Sequence, residues 1–219
     1  MTRPKSHDPR ALATVIGDLV GSRRAADRIA LHARLTDALA RTNTVLAAVT
    51  PLKVTVGDEF QGSYARLGDA LHATLRVRLA LAPDDGVRFG IGWGEVTALD
   101  ADGIEDGPGW WAAREAILGI HARQARASTR ALRTGFEAST GTLGDSTVDL
   151  VTASLLLRDR ALGSMAGVSK VILARLLDDV TQAEIAAELG ISASAVSQRA
   201  RRDGLHLLVE AEHRLARAT

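Results

Sequence analysis

Two well-separated β-rich runs in this chain end in the same dipeptide, and that repetition constrains the fold more than any other feature. Ala13-Thr14-Val15-Ile16-Gly17-Asp18 is a short apolar run that delivers a carboxylate at its end. Lys53-Val54-Thr55-Val56-Gly57-Asp58-Glu59-Phe60-Gln61-Gly62 is a β-branched run that enters a Gly-Asp turn and leaves it in alternation. Glycine tolerates positive φ and aspartate bonds back to nearby backbone, so Gly57-Asp58 is predicted to be a hairpin tip. Alone, each acid reads as a turn residue or a helix cap. Together, a strand end and a hairpin tip can hold a divalent cation between their carboxylates. Mg²⁺ is bound by one or two such groups plus substrate phosphates, which makes it the candidate cofactor and Asp18 and Asp58 its candidate ligands.

Around those runs the periodicity changes in a definite order. Residues 1–10 carry two prolines and mixed charges and predict a loose tail. Residues 12–16 read as a buried central strand. A helical pattern over 23–49 places Ile29, Leu31, Leu35, Leu39, Val45 and Leu46 on one stripe, and Thr42-Asn43-Thr44 offers a point where it splits in two. Pro51 restarts the chain as the first hairpin strand, which closes near Tyr64. A helix over 70–81 is stopped by Pro83-Asp84-Asp85-Gly86. The next strand, 87–97, carries Gly90, Gly92 and Gly94, so one of its faces is almost bare and permits close approach. A loop over 102–109, a helix over 110–126, a strand over 131–136 and a polar connector over 139–145 follow. This order predicts an α+β, ferredoxin-like palm domain at 11–145, with helices on one face of a mostly antiparallel sheet. From Val148 onward the pattern is helical throughout, giving an all-α domain at 146–219.

Composition then removes whole classes of chemistry. Lys and Arg number 27 against 26 Asp and Glu, and a formal charge of +1 argues against non-specific coating of nucleic acid while leaving room for a local basic face. The absence of cysteine excludes disulfides, thiolate zinc sites and thiol catalysis. The start is polar and no apolar run approaches the roughly 20 residues needed to span a bilayer, which places the expected protein in the cytoplasm, off the membrane. There is no GxxxxGK[ST] loop, no HExxH among the six histidines and no G-x-S-x-G elbow.

The residues carry a resemblance. Val15-Ile16-Gly17-Asp18-Leu19-Val20-Gly21-Ser22 is similar to the first metal-binding strand of class III nucleotidyl cyclases, and Lys53-Val54-Thr55-Val56-Gly57-Asp58 resembles their second. Arg88 to Val96 resembles the strand that follows, and Gly109-Trp110-Trp111-Ala112-Ala113-Arg114 stands where that family has its Asn-then-Arg helix. Gly57-Asp58-Glu59-Phe60 also matches the hairpin of the diguanylate cyclase branch. The whole chain resembles the SatD family, which joins such a nucleotidyl cyclase-like palm to a C-terminal helical tail. The resemblance implies that Asp18 and Asp58 bind metal. It implies that the backbone of Leu19, Val20, Gly21 and Ser22 cradles phosphates at the start of the first helix. Lys53 and Arg114 would complete nucleotide binding, Arg114 being the candidate catalytic group. The departures are specific. Val54 occupies the place of the purine-reading lysine, and Lys53, one residue out of register, is turned by regular alternation to the opposite face. Trp110 replaces the ribose-orienting Asn, and Asp102 and Asp106 lie near the base-selecting position without falling on it. Trp110-Trp111 also fits core and rim packing, and Arg114 also fits a solvated helix arginine.

A second motif lies near the C-terminus. Thr181 and Glu184 form a capping-box pattern, Ile185 and Leu189 face inward, Gly190 takes a turn position, and Ser192 caps a second helix that returns Val196 to the shared core. That spacing resembles helix-turn-helix DNA-binding proteins. Ser192, Ser194, Ser197, Gln198, Arg199, Arg201 and Arg202 are the candidate DNA-binding residues, with short polar groups for base edges and arginines for phosphates. The same geometry also serves as a plain three-helix fold or a protein-docking unit. Apolar stripes over 148–162 and 168–177 suit a homodimer. The expected function is therefore a transcriptional regulator that binds double-stranded DNA and senses a purine nucleotide through a degenerate cyclase-like domain. An active nucleotidyl cyclase or nucleotidyltransferase using Mg²⁺ and a purine nucleoside triphosphate is the alternative, and an emptied dimerisation scaffold is a third.

Overall fold

A computed structural model describes residues 10–22, 26–83, 86–99 and 104–218. The first strand, β1 (Arg10–Val20), runs longer than its apolar stretch because the ladder to the fourth strand pairs it along its whole length, while the third strand pairs only Ala13 to Gly17. The first helix, α1 (Arg28–Val45), starts at Asp27, whose side chain accepts from the Ala30 amide at 2.8 Å. It is unbroken at Thr42-Asn43-Thr44, contrary to expectation. Thr42 and Thr44 turn their hydroxyls onto helix carbonyls of Ala38 and Arg41, and the Asn43 amide bonds both backbone groups of Leu52 in the next strand. The competing hydrogen bonds are thus absorbed by the helix and its neighbour.

The hairpin strands β2 (Thr50–Val56) and β3 (Glu59–Tyr64) flank the predicted tip, where Gly57 has φ 62°. Helix α2 (Leu67–Ala80) leads to β4 (Gly86–Ala98), and a two-residue strand β5 (Glu105–Asp106) lies inside the predicted loop. Helix α3 (Pro108–Gln124) and strand β6 (Thr134–Ala138) follow. The sheet order is β2-β3-β1-β4, antiparallel throughout, with β6 parallel to β4 and β5 antiparallel to its far end. A βαββαβ order with the first strand central is the ferredoxin-like arrangement.

Helices cover both faces, not one. Val87, Phe89 and Ile91 of β4 pack with Leu35 and Leu39 of α1 and Leu67 and Leu71 of α2. The opposite, glycine face of β4 receives α3. A Cβ at Gly90 would sit 2.1 Å from the Ala113 carbonyl oxygen, and one at Gly92 the same distance from that of Gly109. The bare face read from the sequence exists to admit this helix. Thr14 of β1 fastens its first turn, donating to the Gly109 carbonyl at 2.8 Å.

Helices α4 (Asp145–Ser164), α5 (Gly167–Leu177), α6 (Gln182–Leu189), α7 (Ala193–Arg202) and α8 (Leu205–Leu215) complete the chain. Near residue 145 the secondary structure changes, but packing runs across the change. Val151 and Leu155 of α4 enter the palm core, while Leu75 and Leu79 of α2 join Leu162, Ile172, Leu173, Ile185, Val196 and Leu205 in a second core. Helix α2 therefore serves both cores. No helix among the described residues is long and apolar enough to cross a membrane.

Candidate functional site

The site grows from the register of three strands. Ile16 packs against Ala113 and Ile117 of α3, and two residues on, Asp18 shares that face of β1. Directly across the β1–β4 ladder stands Arg88, which donates from Nε and Nη2 to both Asp18 oxygens at 2.7 and 3.0 Å. Its Nη1 reaches the Gln124 side-chain oxygen of α3 at 3.4 Å, and Gln124 in turn donates to the Leu132 carbonyl. On the other side of β1, one step beyond the Gly17–Phe60 pair, β3 supplies Glu59. Arg114 of α3 donates to both its oxygens at 2.8 and 3.0 Å.

Two acids and two guanidiniums thus meet where β1, β3, β4 and α3 converge. Hydrogen bonds from Arg114 hold the Glu59 carboxyl below its ordinary value, against an opposing effect of partial burial. Arg114 is raised in return, chiefly by its hydrogen bonds to Glu59, with the charge of Asp18 adding to the effect. The Arg88 side chain is 13% exposed and that of Arg114 is 44% exposed, so the first guanidinium is enclosed and the second faces solvent.

Lys53 lies on this same side, opposite Val54, as regular alternation between the two positions predicts. The irregularities of β2 fall between Thr50 and Lys53 and between Val54 and Val56, on either side of that pair. Val54 packs against the palm core, and Lys53 stands across from Gln61, whose amide bonds Glu59 at 3.2 Å. A recess of about 200 Å³ here is lined by Lys53, Thr55, Gln61, Glu105 and Trp110 among others. Trp110 packs toward Ile16 and Ala113, whereas Trp111 is exposed and donates to Asp106 at 3.0 Å.

Asp58 opens elsewhere. It lines a cleft of about 350 Å³ with Gly57, Leu19, Ser22 and, from α1, Arg28, His32 and Leu35. Asp18 is not in that lining. Of the proposed phosphate cradle, Leu19 is buried, Val20 is exposed, Gly21 has φ 79° with open space at its Cβ position, and Ser22 lines the cleft. The sequence reading passed over Arg88 and did not select Glu59. A lone arginine in a glycine-rich apolar strand was the available signal for the first. The second lay within the quoted Gly57-Asp58-Glu59-Phe60 run.

As arranged, these residues do not fit Mg²⁺ between Asp18 and Asp58. Both Asp18 oxygens are taken by Arg88 and both Glu59 oxygens by Arg114. Among the described residues no group of three or more His, Cys, Asp or Glu could hold a metal ion.

At the other end of the chain, Thr181 and Glu184 bond reciprocally as a capping box, and Gly190 closes α6 at φ 64°. Ser192 accepts from the Ala195 amide at 3.1 Å and so opens α7. Val196 and Ala200 are buried, while Ser194, Gln198, Arg201 and Arg202 are exposed and Ser197 and Arg199 are half-buried. Arg199 donates back to the Ala195 carbonyl, and Arg202 pairs with Asp203 at 2.8 and 3.0 Å.

Several solved structures are similar to this chain. The catalytic core of a rhodopsin-guanylyl cyclase with converted specificity is 15% identical, over 52% of this chain and 74% of that one, with TM-score 0.43. A bacterial light-regulated adenylyl cyclase is 13% identical over 59% of this chain and 44% of that one, with TM-score 0.41. The adenylyl cyclase CyaB from P. aeruginosa is 14% identical over 53% of this chain and 74% of that one, with TM-score 0.39. No curated protein matches. The sequence profile of the SatD family matches residues 12–217, from β1 through the last helix, and the chain therefore belongs to the SatD family.

Proposed function

We propose that this protein is a DNA-binding regulator in which the palm half binds a purine nucleotide and the α6–α7 unit reads DNA. The observation that carries the reading is the outer face of α7. Ser194, Gln198, Arg201 and Arg202 fall at positions i, i+4, i+7 and i+8, so they form one exposed polar stripe. Val196 and Ala200 lock the opposite face into the core shared with α2. A helix fixed from behind and presenting short polar groups and arginines suits a major groove. Exposed Leu150 and Leu157, seven residues apart on α4, suit pairing of two copies, which would present two such helices. Because α2 belongs to both cores, a nucleotide that prefers one arrangement of the palm biases the placement of α7.

The reading is tested by selecting bound fragments from genomic DNA with the full-length protein and titrating them by fluorescence anisotropy. Arg201→Ala with Arg202→Ala is expected to lower affinity and to reduce the dependence on salt by up to about two counterions. No enriched sequence, together with an unchanged salt slope in the double variant, would remove the DNA reading. Failure of every purine nucleotide to alter the affinity would remove the sensing.

One observation favours a second reading, a nucleotidyl cyclase or nucleotidyltransferase. The Asp58 cleft brings a carboxylate, Arg28, His32 and the start of α1 together in a volume suited to a small ligand. Incubation with nucleoside triphosphates and Mg²⁺ or Mn²⁺, followed by product analysis, tests it. Product lost on Asp58→Ala supports turnover, and no product with any triphosphate counts against it.

A further inference from the structure

We infer that Arg88 is the resident cation of the palm site, so that its anionic ligand is met by guanidinium groups and not through a divalent metal; this rests on the nucleotide-binding reading above. The Asp18–Arg88 pair is a product of the ladder. The two residues are register partners on adjacent strands, where side chains on one face are brought into contact by the backbone itself. The pairing uses both carboxylate oxygens, a geometry stronger and more specific than a single contact. Arg88 is further steadied from α3 through Gln124, which is itself tied to Leu132. To coordinate a metal, Asp18 would have to abandon an enclosed guanidinium that has no other carboxylate partner among the described residues.

The neighbouring acid is closed in the same way, Glu59 by Arg114. With two acids and two guanidiniums the cluster is neutral before anything binds, so no uncompensated carboxylate is left to draw in a divalent cation. A polyphosphate can instead use the guanidinium donors that face solvent. The half-exposed Arg114 can exchange Glu59 for a phosphate oxygen, while Asp18 keeps Arg88 in place behind it. Asp58, at the hairpin tip, lines the cleft formed with α1. Asp18 is in this sense a positioning residue for an arginine.

The test is Mn²⁺ binding followed by electron paramagnetic resonance on the full-length protein, with wild type, Arg88→Gln and Arg88→Gln/Asp18→Asn compared. Wild type is expected to leave the free-ion spectrum unchanged, and any Mn²⁺ taken up by R88Q through the freed Asp18 carboxylate is expected to be lost in the double variant. Mn²⁺ bound by wild type and lost in Asp18→Asn overturns the inference. The wild-type measurement decides the main claim even where R88Q fails to fold. In parallel, a fluorescent purine nucleotide is titrated with EDTA present. Binding that persists in EDTA is expected, and binding that appears only with Mn²⁺ overturns the inference. Absence of nucleotide binding under every condition removes the nucleotide reading instead, with the Mn²⁺ result still standing.

Discussion

The same chemistry, arginine against carboxylate, appears in two regions of this molecule under opposite conditions. At the palm site the pairs lie between strands and α3 with one partner open to water. At the junction of α2, β6, α4 and α8 they are sealed. Asp159 is wholly buried and accepts from Arg78, from the Arg133 and Thr134 amides at 2.6 and 2.9 Å, and from the Thr134 hydroxyl. Arg158 beside it donates to the Leu71 carbonyl and the Thr74 hydroxyl and lies 3.5 Å from buried Glu212. Burial pushes the Glu212 carboxyl up, against the attraction of Arg158. A sealed pair holds elements together because neither charge can be rehydrated without opening the core. A half-exposed pair can exchange partners at small cost, which is what a ligand site requires.

Four measurements would break or sharpen this contrast. The largest effect is expected from Asp159→Ala, which strands the Arg78 guanidinium and two backbone amides. It should cost about 3–5 kcal/mol in urea unfolding, and a loss below about 1 kcal/mol would show that the junction is not sealed. Next is acid sensitivity through His72, whose ring is lowered from 6.5 to about 4, first by burial and then by Arg76, His213 and Arg158, with Asp178 opposing. The unfolded chain takes up a proton near 6.5 that the native state refuses until about 4, so stability falls as pH drops through that window. The loss is on the order of 3 kcal/mol, and His72→Gln should flatten the curve.

Smaller still is the net change for Arg158→Met combined with Glu212→Leu. A buried pair replaced on both sides is often near neutral, so the double variant should be more stable than Glu212→Leu alone, as read by thermal unfolding. The smallest effect belongs to the palm site. Glu59→Gln should change stability by less than about 1 kcal/mol because Arg114 is half-exposed. A penalty as large as that of Asp159→Ala would erase the distinction between the two regions.

Legibility followed distance along the chain. The Gly57-Asp58 tip, the Thr181–Glu184 box and the Gly190 turn were readable because each depends on a few adjacent residues and one backbone conformation. The glycine face of β4 announced a close neighbour, though not which helix would fill it. Lys53 and Val54 took opposite faces as alternation predicts, but that the Lys53 face would carry the charged cluster was not readable, because it depends on where α3 packs. Nor was the Asp18–Arg88 pair, whose members are 70 residues apart and meet only through strand order. The apparent boundary near 145 concealed Leu75 and Leu79, apolar positions of α2 that look toward the C-terminal helices.

By itself, the sequence determined where strands and helices form, where the chain turns, and which residue types could bear charge at the ends of β1 and β2. Those are consequences of local propensity and spacing, which act within a few residues. Only the tertiary structure decided which charges face one another, since register and helix placement bring together groups that no local rule relates. The partner that the β1–β4 ladder set opposite Asp18 was an arginine, and the electrostatics of the site follow from that pairing.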